Sequence, residues 1–160
     1  MKNTLKTVYD TPKLKTSLIV ISHLSVILSA LVLLRMILFL WVNDQSSIPK
    51  ILLTLGVPFI LVSILRHIIN APRPYELYDF YKTPPKQKCG KSFPSRHAYS
   101  AFSIATAALF ILPWWVGAIL ITSAVFLCIA RVLLGIHFIR DVLAGALIGI
   151  ASAIIGILIF

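Results

Sequence analysis

Long runs of apolar residues alternate with short polar breaks along this chain, and the runs are the length of a membrane crossing. About twenty apolar residues in helical geometry cross a hydrocarbon layer about 30 Å thick. Five runs fit that pattern: Ser17 to Val42, Ile48 to Ile69, Ala98 to Leu112, Val116 to Leu134 and Ile136 to Phe160. The third is short unless Ser95 to His97 begin it. Pro113, Trp114 and Trp115 are expected to form a tight turn before the fourth run, with both indoles at the membrane interface. Backbone polar groups in lipid must be satisfied within their own segment, so the runs are expected to be helices packed against one another. The expected fold is all-α, a polytopic membrane helix bundle of about five transmembrane helices with one polar loop, built as a single domain over residues 1–160.

Small residues in the last run, Gly145, Gly149, Gly156, Ala144, Ala146, Ala151 and Ala153, together with Gly135 just before it, are read as packing positions that let helix backbones approach closely. His23 and Arg35 in the first run are read as structural, Arg35 by snorkelling to the interface.

Composition agrees with lipid as the solvent. Of the 160 residues, 59% are hydrophobic and 12% charged, against about half and about a quarter in soluble domains. The net charge of +10 would suggest nucleic acid in a soluble protein. Here most of the cations sit at the N-terminus and between Arg66 and Lys91, beside apolar runs, which suits phosphate head groups better than a duplex. With no stacking platform or recognition module visible, no nucleic acid partner is expected. Cys89 and Cys128 give neither metal-ligand spacing nor a disulfide framework. The N-terminus runs polar for about sixteen residues before the first apolar run, so no cleavable signal peptide is expected and that run is expected to stay as an anchor.

The stretch from Asn70 to Phe93 is the only long polar one. Pro72, Pro74, Pro84 and Pro85 prevent continuous helix there, and Gly90 allows a turn. Tyr75, Tyr78, Phe80 and Tyr81 suit the head-group level.

Three clusters join cations or histidines to the ends of apolar runs. They are Arg66 to Pro74, Pro94 to His97, and Arg131 to Asp141. His137 and Asp141 are four apart, so on one helix they would share a face. The carboxylate could then fix the imidazole tautomer and leave the other ring nitrogen as a nucleophile. Arg66 and Arg73 supply permanently charged forks that match phosphate oxygens. Ser95 offers a hydroxyl and His97 a general acid for a leaving oxygen. Counting crossings puts all these run ends on one membrane face.

The clusters resemble the three motifs of the type 2 phosphatidic acid phosphatase superfamily, which also holds the vanadium haloperoxidases. The family pattern reads K-x6-R-P, P-S-G-H and S-R-x5-H-x3-D. Arg66 stands at the lysine, Arg73 and Pro74 match, Pro94, Ser95 and His97 match, and Arg131, His137 and Asp141 match with the family spacing. Three positions depart: Arg66 for lysine, Arg96 for glycine and Ala130 for serine. The resemblance covers about residues 66–141, the motif core, and many membrane relatives have six spans where five are read here.

The resemblance implies a small bacterial-type membrane phosphatase acting on a lipid phosphate or diphosphate, such as polyprenyl diphosphate, phosphatidylglycerol phosphate or phosphatidic acid. It implies His137 as nucleophile through a phosphohistidine, Asp141 as its orienting group and His97 as the proton donor. It implies Arg66, Arg73, Ser95, Arg96 and Arg131 as phosphate-binding residues, the polar stretch as the active-site loop, and no metal or other cofactor. The alternative is a weak or inactive relative that binds anionic lipids, motivated by Arg96 and Ala130.

The protein is expected in the cell membrane. Lys2, Lys6, Lys13, Lys15, Lys82, Lys86, Lys88 and Lys91 fall on the site's side and Lys50 opposite, which leans to a cytoplasmic site, although many bacterial relatives work on the outer face.

Overall fold

The computed structural model describes residues 2–77 and 89–159. Tyr78, Phe80, Tyr81, Lys82, Pro84, Pro85, Lys86 and Lys88 lie outside the described residues, so the expectations placed on them do too. Seven helices follow in order: α1 (Lys2–Asp10), α2 (Pro12–Asn43), α3 (Ser47–Ile69), α4 (Pro74–Leu77), α5 (Arg96–Ile111), α6 (Trp114–Leu133) and α7 (Ile139–Ile159). Four of the described helices are long and apolar enough to cross a membrane: α2, the segment opening with α3, α6 and α7. The run expected over Ala98 to Leu112 is α5, of 16 residues, or about 24 Å at 1.5 Å per residue.

The helices show the inverted pattern of a chain dissolved in lipid. On α2 the buried positions include Ser22, Ser25 and Ser29, while Leu24 and Leu31 are each 59% exposed. Small residues turned inward let helices close on one another, and bulky apolar ones turned outward meet hydrocarbon. Ser25 Oγ donates to the Ser123 carbonyl of α6 at 3.3 Å, tying the two helices together.

α5 is the central helix, with buried residues from Ala98 to Ala108. It packs against α7, α6, α2 and α3. The α5–α7 contact depends on glycine. A Cβ at Gly145 would strike the carbonyl oxygen of Ser95, and one at Gly149 would come within 2.6 Å of the carbonyl oxygen of Tyr99. At the end of the bundle away from the histidines, Met36, Leu40, Ile51, Ala105, Ala108 and Leu120 form the main apolar core.

Two expectations need correction, and one element was not anticipated. Within the polar N-terminus α1 is amphipathic, and its Leu5 and Val8, three apart, are both buried. Val8 packs with Leu18, Ala130, Leu134 and Ile136. Trp114 and Trp115 do not sit in a turn with Pro113 but begin α6, with Pro113 as the cap residue before them, where its fixed φ and missing N–H are tolerated. Both indoles are exposed. His137 is not on the same helix as Asp141, because α6 ends at Leu133 and α7 begins only at Ile139.

Candidate active site

The geometry follows from how four helix ends are finished. α3 ends on Asn70, in the left-handed region at φ 44°, whose N–H donates to the Arg66 carbonyl. α6 ends in a Schellman motif. Gly135, at φ 67°, donates to the Val132 carbonyl at 3.0 Å, and Ile136 donates to the Arg131 carbonyl at 3.0 Å. This tight reversal delivers His137 to the bundle interior ahead of α7. α5 begins with Ser95 as N-cap, its Oγ accepting from the Ala98 N–H at 3.4 Å.

Asp141 finishes the fourth end. It sits in the first turn of α7 and reaches back, so that Oδ2 accepts from the Phe138 N–H at 2.9 Å. This is one half of a capping box. It explains why residues off a common helix still meet: His137 Nδ1 lies 3.7 Å from Asp141 Oδ2. His137 is 2% exposed and Asp141 fully buried.

Bonds between the clusters draw the helix ends together. Arg66, buried, donates from Nη1 to the Pro94 carbonyl at 2.9 Å. The Ser95 N–H donates to the Asp141 carbonyl at 2.9 Å, and the Tyr75 N–H to the Gly135 carbonyl at 3.2 Å. Arg73 donates from Nε to the Gly90 carbonyl at 3.0 Å, while the Gly90 N–H donates to Glu76 Oε1 at 2.7 Å. Residues far apart in sequence thus form one network at one end of the bundle.

The site is strongly cationic. Arg131, His137, Arg66 and Arg96 lie close enough to His97 to act on it electrostatically, and Arg73 and Arg66 act likewise on His137. His137 itself lies in the connection outside the spanning helices. Burial pushes its imidazole below the ordinary value of 6.5; the negative charge of Asp141 nearby pulls the other way, and the two guanidiniums add to the lowering. Burial thus favours the neutral ring. Arg131 keeps a buried Nε–H with no acceptor among the described residues, an arrangement suited to a donor that serves a ligand.

All the residues expected at the site come to this end, but not in equivalent settings. Ser95 is fully buried and its oxygen caps α5. Arg96 is exposed, with its guanidinium carbon 5.9 Å from the centre of the Phe59 ring. Ala130 faces the α1 contact, so the missing serine hydroxyl is replaced there by apolar packing.

Sequence reasoning missed Ser92. Its Oγ donates to Asp141 Oδ2 in a short bond and lies 3.4 Å from His137 Nδ1. A serine in a polar loop gave no signal of this. Beside His97 opens a cavity of about 350 Å³, with Val26, Leu33, Phe59 and Leu127 in its apolar wall and Arg96 and His97 at its polar end.

Comparison with known proteins identifies the family. Residues 48–160 match the family model described as PAP2 superfamily. The undecaprenyl-diphosphatase-like protein YbjG of Escherichia coli (strain K12) is 30% identical over 127 residues, covering 76% of this chain and 62% of YbjG. The undecaprenyl-diphosphatase of Sulfolobus acidocaldarius is 31% identical over 105 residues, covering 62% of this chain and 50% of its own. This chain thus spans less than two thirds of the length of either. Among solved structures, Aquifex aeolicus LpxE superposes with a TM-score of 0.70 at 29% identity, over 92% of this chain and 87% of LpxE. The transmembrane PAP2 type phosphatidylglycerolphosphate phosphatase of Bacillus subtilis superposes with a TM-score of 0.75 at 26% identity, over 99% of this chain and 83% of that one. With its apolar helices and the family match over most of its length, the chain is a multi-pass membrane protein that belongs to the PAP2 superfamily.

Proposed function

We propose that the protein is a lipid phosphate or diphosphate phosphatase of the cell membrane, working through a phosphohistidine at His137 and without a metal. The observation that carries this reading is the gathering of two imidazoles, one buried carboxylate and four arginines at one end of the bundle, with an apolar cavity opening at His97 and Arg96. A phosphorylated head group needs the first set, and its hydrocarbon chain needs the second. The undecaprenyl-diphosphatases among the relatives support a polyprenyl diphosphate as the first substrate to try.

In this reading the head group lies among Arg66, Arg73, Arg96 and Arg131, with Ser95 and the N–H groups at the start of α5 completing the phosphoryl site. His137 Nε2 attacks phosphorus, and a P–N bond forms as the P–O bond to the leaving group breaks. His97 gives its proton to the departing oxygen, then takes one from the water that cleaves the P–N bond. The local donors are cationic or imidazole groups with Asp141 the single carboxylate at His137, a set that favours anions over metal ions. Among the described residues no three His, Cys, Asp or Glu side chains are placed to hold one.

The test is phosphate release by the purified protein in micelles, across undecaprenyl diphosphate, phosphatidylglycerol phosphate and phosphatidic acid. Release that survives EDTA and is abolished in His137→Ala is the expected result. Full turnover by His137→Ala rejects the nucleophile. Lipid binding without release across the whole panel leaves instead a non-catalytic binder of anionic lipids.

A further inference from the structure

Ser92 is fully buried and stands between the two groups that the nucleophile reading links directly. The 3.7 Å from His137 Nδ1 to Asp141 Oδ2 is too long for a hydrogen bond. Ser92 Oγ fills the gap, bonded to the carboxylate and 3.4 Å from the imidazole. The proton positions follow from what each group can do. A carboxylate only accepts, so the single hydroxyl proton of Ser92 goes to Asp141. The serine oxygen can then only accept from the imidazole, which requires a proton on Nδ1 and leaves Nε2 bare.

The backbone around Ser92 is held to match. Gly90 and Lys91 are both at positive φ, 69° and 56°, and the Ser92 N–H donates to the Ala71 carbonyl at 2.9 Å. The two left-handed residues turn the chain inward, and Arg73 and Glu76 hold Gly90 from either side. Such a turn is not needed to bury a serine; it serves to aim one.

We propose that Ser92 is a positioning residue, whose hydroxyl bridges His137 to Asp141 and fixes the imidazole as the Nδ1–H tautomer with Nε2 facing the phosphoryl group. The proposal rests on the phosphohistidine reading above. When Nε2 bonds to phosphorus, Nδ1 keeps its proton and the ring becomes cationic; Asp141 stabilises that charge through Ser92, and no proton leaves His137, the one that moves being passed from His97 to the departing oxygen.

Two readouts test this with the purified full chain. In phosphate release, Ser92→Ala is expected to lower kcat by roughly 10–100-fold, the usual scale for a residue that orients a reacting group, with KM changed less than about twofold. Ser92→Thr, which keeps the hydroxyl, is expected to restore most of it. In ¹⁵N NMR of histidine-labelled protein, with the His137 signals assigned by His137→Gln, Ser92→Ala is expected to reduce the Nδ1–H share of His137. Wild-type kcat in Ser92→Ala, with His137 and Asp141 closing to a direct bond, overturns the proposal. So does loss of kcat, KM and melting temperature together with no rescue by threonine, which marks a packing role. The NMR readout needs no turnover. A tautomer change on Ser92→Ala in a protein whose wild type releases no phosphate supports the bridge and sinks the phosphatase reading, whereas an unchanged tautomer in an active enzyme sinks the bridge alone.

Discussion

The two ends of the bundle are held by different forces. At the histidine end, buried polar groups bind one another: Arg66 to Pro94, Ser95 to the Asp141 carbonyl, Ser92 to the Asp141 side chain. At the other end, Met36, Leu40, Ile51, Ala105, Ala108 and Leu120 meet through shape alone. Hydrogen bonds are directional and expensive to leave unmade once buried. Apolar contacts are non-directional and tolerate changes that keep volume. The first end therefore fixes atom positions, and the second supplies adhesion without specifying much.

Substitutions separate the two ends by the size of their effect on turnover. The largest is expected at Gly145, where a side chain would push the Ser95 carbonyl, and the start of α5 with it, away from Asp141. Gly145→Val should reduce phosphate release by about 100-fold, since a displacement of about 1 Å in a reacting group costs that much. Steady-state kinetics beside a melting curve would show whether turnover falls at a temperature where the protein is still folded.

Next comes pH. The attacking imidazole must be neutral, and burial holds His137 below its ordinary 6.5. The acid limb of kcat/KM is therefore expected to have its midpoint below pH 6.5, with activity falling about tenfold per unit beneath it. A profile over about pH 4.5 to 8 checks the position of that limb.

A smaller effect is expected at Arg96, which is exposed over Phe59 at the polar end of the cavity. Arg96→Gly restores the residue of the family pattern and removes one cation from the head-group site. KM for a lipid diphosphate should rise several-fold, roughly 3–10-fold, with kcat nearly unchanged, because the lost contact is made equally before and during reaction. The smallest effect on turnover is expected at the far end. Leu120→Ala should lower stability by about 2–4 kcal/mol yet leave kcat within about twofold. Denaturation in mixed micelles and the same kinetic assay would measure the two separately.

The same contrast governs what could be read before any coordinates. The long helices were legible because a crossing of lipid demands a long apolar run, and each expected run corresponds to a helix within a few residues at its ends. The approach of Arg66, Arg73, His97, Arg131 and His137 was legible too, because alternate crossings return the chain to the same face. The local route was not. The four-residue spacing of His137 and Asp141 suggested a shared helix, yet Gly135 closes α6 early and Asp141 caps the next helix instead. α1 was hidden because two buried residues, Leu5 and Val8, are too weak a stripe to stand out among lysines and threonines. Ser92 could not be found at all, since its partners lie 45 and 49 positions away and nothing local distinguishes it from a solvated loop serine.

The seating of Val8 and Leu18 on Ala130, Leu134 and Ile136 has a practical meaning for anyone handling the protein. The opening residues form a wedge under the reversal that carries His137, so a bulky affinity handle or fluorescent fusion placed before them would lever on the histidine. The Ile159 end of α7 emerges at the opposite pole, and attachments made there would leave the wedge undisturbed.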